Sequence, residues 1–239
     1  MIKFLPKITA FFVSVGLIVS GCDNGNADVT IFDSPPEVTV SKPNSVTSNV
    51  NFTMKLRFRD GADPSISSSP LSSATWEITL GPTVIQSGSL DLSGVLQDVD
   101  VPVTALAIGT PSDDINTYNL YNLRVIAEDQ NANKDTVDVP FRVVGTVGII
   151  GDATPGGWGA STAMTRDASD PDLYKITNVV LTSGEAKFRA DNFWGINWGA
   201  AAFPSGTGTF NGANISGITP GTYDVTLNVS TGAYNFVKK

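Results

Sequence analysis

Histidine is absent from all 239 residues. That excludes Ser-His-Asp and Cys-His catalysis, histidine metal ligation and a histidine pH switch. Cysteine occurs once, at Cys22, so there is no internal disulfide and no cysteine zinc site. Charge is sparse as well: 16% of residues are charged, with 15 Lys and Arg against 23 Asp and Glu, for a formal charge of -8. No basic surplus exists to displace counterions from phosphates, which argues against nucleic acid as a partner. At 41% hydrophobic the chain is too apolar for disorder and long enough for one large or two small cores. Its 23 Gly and 14 Pro, with many Thr, Val, Ser and Asn, describe turn-rich β-structure. This inventory suits a binder better than an enzyme, and no cofactor is implied.

The first residues read as an address. Lys3 and Lys7 precede an apolar stretch from Ile8 to Val19 that ends in Ser20-Gly21-Cys22. A basic start, a short apolar run and small residues before a cut site make a secretory signal. A spanning helix needs about 20 apolar residues, and this run is shorter. Val19-Ser20-Gly21-Cys22 resembles the lipobox of bacterial lipoproteins, with Val19 where Leu is usual. Residues 1–21 are therefore expected to be a lipoprotein signal peptide. Cys22 becomes an acylated anchor in outer-membrane lipid, and residues 22–35 form a polar tether.

Beyond Pro35-Pro36 the expected class is all-β, as two β-sandwich domains in tandem. Strands are expected at Glu37–Ser41, Val50–Phe58, Ala74–Leu80, Val84–Leu90, Asp100–Ala105, Tyr118–Glu128 and Asp135–Val144. Short runs with turn signals and no helical period suit an immunoglobulin-like sandwich over 36–145, acting as a spacer. The Asp129-to-Asp135 loop alternates oxygen side chains as a calcium loop does, but Lys134 stands where glycine is needed. It reads as a hairpin turn. Composition shifts at Gly145. From there glycine and aromatics increase, and strands are expected at Val147–Ile150, Tyr174–Leu181, Ala186–Ala190, Thr222–Val229 and Ala233–Val237. Residues 146–239 form the second β-sandwich.

Within that second domain, strand periodicity puts Ala186, Phe188 and Ala190 on an inner face and Lys187 and Arg189 on an exposed one. Asp191, Asn192 and the aromatic run Phe193-Trp194 follow. Flat rings for a pyranose face, beside amides and cations for its hydroxyls, are what sugar recognition requires. Trp158, after Pro155-Gly156-Gly157, is expected exposed in a loop. Of Trp194 and Trp198, one should plug the core, and Trp198 is the expected plug. Trp76 is expected in the first core.

The stretch Gly148-Ile149-Ile150-Gly151-Asp152-Ala153-Thr154-Pro155-Gly156-Gly157-Trp158 is followed by Glu185-Ala186-Lys187-Phe188-Arg189, Trp194 and Asn197-Trp198-Gly199. With Asn214-Ile215 and Pro220-Gly221-Thr222-Tyr223-Asp224-Val225-Thr226-Leu227, it resembles the C-terminal domains of SusE/SusF-like glycan-binding lipoproteins. The resemblance spans roughly Gly148 to Val237. It implies a carbohydrate-binding module on the outer membrane facing the cell exterior. The implied partners are a polysaccharide or oligosaccharide, an α-glucan or another glycan, and a TonB-dependent transporter with its lipoprotein lid. Carried over by position, it implies glycan contacts from Trp158, Lys187 and Arg189, with Asn192 and Trp194 beside them.

Two rivals remain. A structural accessory lipoprotein would use the same aromatic loops as protein contacts. A glycosidase would need two facing carboxyls, and Asp167, Asp170 and Asp172 read instead as a solvated turn. No catalytic residue and no metal site is expected.

Overall fold

Apolar and polar side chains alternate along most of the chain after Pro36, and a period of two residues is what a half-buried strand requires. The structure, a computed structural model, describes residues 33–41, 44–60 and 69–239. Cys22, its lipobox and the expected leader lie outside the described residues. In chain order the first strands are β1 (Glu37–Ser41), β2 (Ser45–Thr47), β3 (Phe52–Arg59) and β4 (Leu71–Leu80). They are followed by β5 (Thr83–Asp91), β6 (Leu96–Val103), β7 (Leu120–Asp129) and β8 (Lys134–Val144). Next come β9 (Val147–Gly151), β10 (Gly157–Ala163), β11 (Thr165–Arg166), β12 (Leu173–Leu181) and β13 (Gly184–Ala190). The last are β14 (Asn197–Gly199), β15 (Ser205–Thr207), β16 (Thr209–Phe210), β17 (Ile215–Ile218), β18 (Gly221–Asn228) and β19 (Ala233–Lys238). The all-β class expected from the sequence is what the chain adopts. Among the described residues no helix is long and apolar enough to cross a membrane.

Sheet β1-β3-β6 and sheet β2-β8-β7-β4-β5 line one hydrophobic cluster. β3 shows why: Met54, Leu56 and Phe58 are buried, while Lys55, Arg57 and Arg59 alternate outward. Sheets β10-β9-β13-β14-β16 and β11-β12-β18-β19-β15 line a second cluster. There Phe188 meets Tyr234 and Phe236 across the core, with ring centroids 5.7 and 6.0 Å apart. Each cluster is thus held between two sheets, the sandwich arrangement. Trp76 is half-buried rather than central. It packs at the margin of the first core, its ring so close over Gly88 that a β-carbon there would stand 2.7 Å from the indole nitrogen.

Two expected turns are present. Asp129 closes the hairpin between β7 and β8 by accepting the amides of Asn131 and Asn133, each at 2.8 Å. Asn228 does the same at Ser230-Thr231-Gly232, where the Gly232 amide reaches the Asn228 carbonyl at 2.8 Å.

Phe32–Lys239 is one compact unit by its contacts. Polar ties join the two sandwiches directly. Ser45 Oγ donates to the Val229 carbonyl at 2.5 Å, and Thr47 donates its amide and hydroxyl to Asp172 Oδ1 at 3.2 and 3.1 Å. The Asp191 carboxylate accepts from the Tyr118 hydroxyl at 3.0 Å, the Thr146 amide at 2.7 Å and the Thr146 hydroxyl at 3.2 Å. Tyr118, although just before β7, packs in the second core. Residues of the first sandwich therefore complete the packing of its neighbour.

Asp167 and Asp170 form the expected turn, with Asp167 Oδ1 accepting the Ser169 and Asp170 amides at 2.8 and 3.0 Å. Lys175 pairs with Asp167, and this pairing holds its carboxyl well below the usual range. Asp172 departs from the solvated loop expected for it. It docks on Thr47, and burial pushes its carboxyl up. A raised value makes the folded chain the better proton acceptor, so this charge costs stability above the folded value and nothing below about pH 4. Asp172→Asn keeps an acceptor for Thr47 and removes the charge. We expect it to leave stability unchanged or raise it by less than about 1 kcal/mol at pH 7, a gain that disappears in urea melts below about pH 4. Asp191→Ala orphans the buried Tyr118 hydroxyl and the part-buried Thr146 amide, and its expected cost is about 3 kcal/mol in the same assay.

Candidate functional site

β13 has the composition of a half-buried strand, yet both its faces are covered. Ala186, Phe188 and Ala190 are fully buried in the second core, as the alternation predicts. Lys187 and Arg189 share the opposite face but are not exposed, at 8% and 7% of their full accessibility. They are the two buried cations among the described residues. The covering comes from segments that join the sheet by turns and bulges, which strand periodicity does not register.

The first cover is the loop after β13. Asp191 and Asn192 both have positive φ, 53° and 60°, and the Phe193 amide returns to the Ala190 carbonyl at 3.0 Å. Two consecutive left-handed residues make the tight turn that reverses an antiparallel pair, and Asp and Asn tolerate that conformation best. The chain then comes back as β14, with Arg189 opposite Asn197 and Phe188 opposite Trp198. Trp198 consequently points into the core, 1% exposed, with its ring centroid 5.4 Å from Phe210. Asn197 lies on the face of Arg189 and donates its Nδ2 to the Trp194 carbonyl at 2.9 Å. Its Oδ1 is buried without a donor.

Trp194 is half-buried, and the Arg189 guanidinium carbon lies 4.9 Å from its ring centroid. The first sandwich fixes this loop from below. Asp113 Oδ1 accepts the Trp194 amide at 2.6 Å. Gly195 packs against the first sandwich so closely that a β-carbon would stand 2.8 Å from the Tyr118 Cβ. Only glycine allows that approach.

The second cover is β10. Trp158 lies in this strand and not in the expected loop. Gly157, with φ of 57°, pairs with Gly151, and a bulge then shifts the register before Thr162 meets Ile149. The bulged strand brings Ser161 Oγ to accept from Arg189 Nε at 3.1 Å. It also brings Trp158, 39% exposed, to a ring-centroid separation of 6.2 Å from Trp194 at an interplanar angle of 34°.

Arg189, Trp194 and Trp158 thus form one contiguous set, with Ser161 and Asn197 attached to it. Lys187 is next to Arg189 on the same face, its stem packed beside Gly199, and it has no hydrogen-bond or ion-pair partner among the described residues. Burial alone pushes its amine down. Arg189 is pushed down by burial too, opposed in part by Asp113. Asn192 takes no part in the contacts that join the set. It is exposed at the turn, where its backbone conformation accounts for the residue type.

Sequence reasoning missed Asn197, Ser161 and Asp113. A strand pairing of Asn197 with Arg189 could have been sought in the Asn197-Trp198-Gly199 triplet. Asp113 left no local signal, since it lies in the other sandwich. The recesses of that sandwich offer less chemistry. A shallow one of about 340 Å³ contains Lys55, Arg57, Asp98 and Asp100. Its cations are already paired, Arg57 with Asp98 at 2.7 Å and Lys55 with Asp100 at 3.5 Å. Among the described residues no cluster of three or more His, Cys, Asp or Glu is placed to hold a metal ion.

No protein-family model matches the chain, and no curated protein matches it as a relative. Among solved structures it is similar to an engineered protein over 48% of its own length and 21% of that chain, at 19% identity and a TM-score of 0.28. It is also similar to SusF from Bacteroides thetaiotaomicron over 85% of its length and 52% of that chain, at 12% identity and a TM-score of 0.31. The chain therefore spans about a fifth of the first and about half of the second. Likenesses this distant say nothing about what the chain binds.

Lys187 has a measurable signature. Its depressed value means that its charge costs stability at neutral pH, and the cost fades as pH rises toward about 10.4, where the unfolded side chain also loses its proton. Lys187→Met keeps the stem and removes the charge. Its expected effect is a melting temperature higher by about 2–4 °C at pH 7, equivalent to about 1 kcal/mol, and a smaller difference near pH 10.

Proposed function

We propose that the face formed by Trp158, Trp194, Arg189 and Lys187 captures a glycan chain, and that the protein is a non-catalytic, lipid-anchored glycan-binding lipoprotein. The observation that carries this reading is the tryptophan pair. Trp158 is exposed and Trp194 half-exposed, 6.2 Å apart and backed by Arg189 on a rigid sheet. An aromatic platform with cationic donors beside it matches a pyranose, which has an apolar face and a rim of hydroxyls. Positioning by strands and by a second sandwich keeps the ordering cost low on binding. The Gly148-to-Val237 motif resemblance supports the same class, and the Val19-to-Cys22 lipobox supports the anchor. Outer-membrane location, exterior orientation and work beside a TonB-dependent transporter with its lipoprotein lid follow from that resemblance. The α-glucan or other glycan is held for that system.

Stacking and a few hydroxyl contacts correspond to micromolar to millimolar affinity. The test is affinity electrophoresis in gels containing polysaccharide. Retardation of the wild-type chain is expected, and Trp158→Ala, at an exposed strand position, should abolish it while changing the melting temperature by less than about 2 °C. Retardation that survives Trp158→Ala would overturn the tryptophan platform as the glycan contact, and no retardation by any plant, algal, microbial or host glycan would favour a docking role for the same surface.

A further inference from the structure

Two cations are buried side by side in a protein that is otherwise acidic. The chain has 23 Asp and Glu against 15 Lys and Arg, yet Lys187 and Arg189 lie side by side on β13, almost wholly covered. Other cations show the ordinary arrangement. Arg57, Arg124, Lys134 and Lys239 each meet a carboxylate near the surface, at 2.7, 3.0, 3.0 and 2.8 Å. Lys187 meets none. Arg189 has Ser161 as its hydrogen-bond acceptor, while Asp113 favours its charge and spends one oxygen on the Trp194 amide.

Burying a charge is costly unless an opposite charge or strong acceptors meet it. Lys187 therefore lacks the carboxylate partner that a buried charge calls for, since Glu185, two residues before it on the same strand face, is held by Asn214 Nδ2 at 2.7 Å, and Arg189 beside it lies against Trp194. Resting on the glycan-binding reading above, we propose that the site selects acidic glycans. An anionic substituent, a uronate carboxylate or a sulfate ester, accepts charge-assisted hydrogen bonds from Lys187 and Arg189 while its ring, or the next one, lies on Trp158. Two residues along a strand separate their Cα atoms by about 6.5 Å, a spacing that lets one anionic group and its neighbouring hydroxyl engage both side chains. Arginine's planar fork suits a carboxylate or sulfate, and the lysine supplies a compact second charge. A neutral sugar offers only hydroxyls and leaves the charge unmatched.

The acidic exterior sharpens the selection. At long range a chain of charge -8 repels polyanions. An acidic polymer is therefore retained only where local contacts outweigh that repulsion, which disfavours polyanions that lack a ring able to stack.

The experiment is isothermal titration of the purified full chain with matched pairs of polymers. These are polygalacturonate against its methyl-esterified form, and a sulfated galactan against its desulfated form. At least one acidic member should bind about tenfold or more tightly than its neutral counterpart, as a charge-assisted hydrogen bond implies. The pair that shows the difference identifies carboxylate or sulfate as the source. Lys187→Met should weaken acidic binding by about ten- to a hundredfold in a protein no less stable than wild type. Lys187→Arg should restore most of it, and Lys55→Met, at an exposed pair on the other sandwich, should change nothing.

Equal binding of acidic and neutral members, lost in Trp158→Ala, overturns the selection for anions and leaves the glycan platform standing. Acidic binding that survives the double change of Lys187→Met and Arg189→Met also overturns it. Absence of binding to all four polymers, with retardation by no other glycan, removes both readings.

Discussion

A strand that buries both faces must put something other than apolar side chains on one of them when its composition alternates. Gly184–Ala190 is such a strand. Ala186, Phe188 and Ala190 occupy the second core, and the strand period then forces Lys187 and Arg189 onto the opposite face. Nothing in β13 requires that face to be covered. The turn after it and the bulged strand at the sheet edge do so at Arg189, with Trp194 and Ser161, and Gly199 packs beside the Lys187 stem. Desolvated cations, an exposed indole and a fixed spacing between them all follow from that one geometric constraint.

The covering holds because the two sandwiches share structure. Asp191 is placed by the same left-handed turn that reverses β13 into β14, and there it accepts hydrogen bonds from Thr146 and from Tyr118 of the other half. Asp113 and the segment leading to Tyr118 then hold the Trp194 loop. A loop carrying a half-exposed tryptophan would otherwise be mobile and would lose more entropy on binding. The junction is thus part of the site, and charge at the junction is not free. Asp172 gains two hydrogen bonds from Thr47 but loses solvent.

Stability and the proposed binding role oppose each other at Lys187. Its amine has no partner among the described residues, and burial disfavours its charge. A face arranged for stability alone would hold an apolar side chain of the same length there. Functional sites commonly retain such local costs.

The amino-acid order by itself determined the all-β class, most long strands within a few residues, the hairpin at Ser230-Thr231-Gly232 and the inward set Ala186, Phe188 and Ala190. These depend on periods of two and on turn chemistry, which are local. It also singled out Trp158, Trp194, Lys187 and Arg189 as residue types suited to one chemistry, and Trp198 as the core plug. Short strands poor in β-branched residues, β10 and β14 among them, were not legible, because glycine, bulges and pairing partners decide them. Burial of the cations, the place of Asn197 and Ser161, and the hold of Asp113 on Trp194 were decided only by tertiary structure. The physical reason is that coverage is a relation between segments far apart in the chain, and no local pattern records which surface another segment will close.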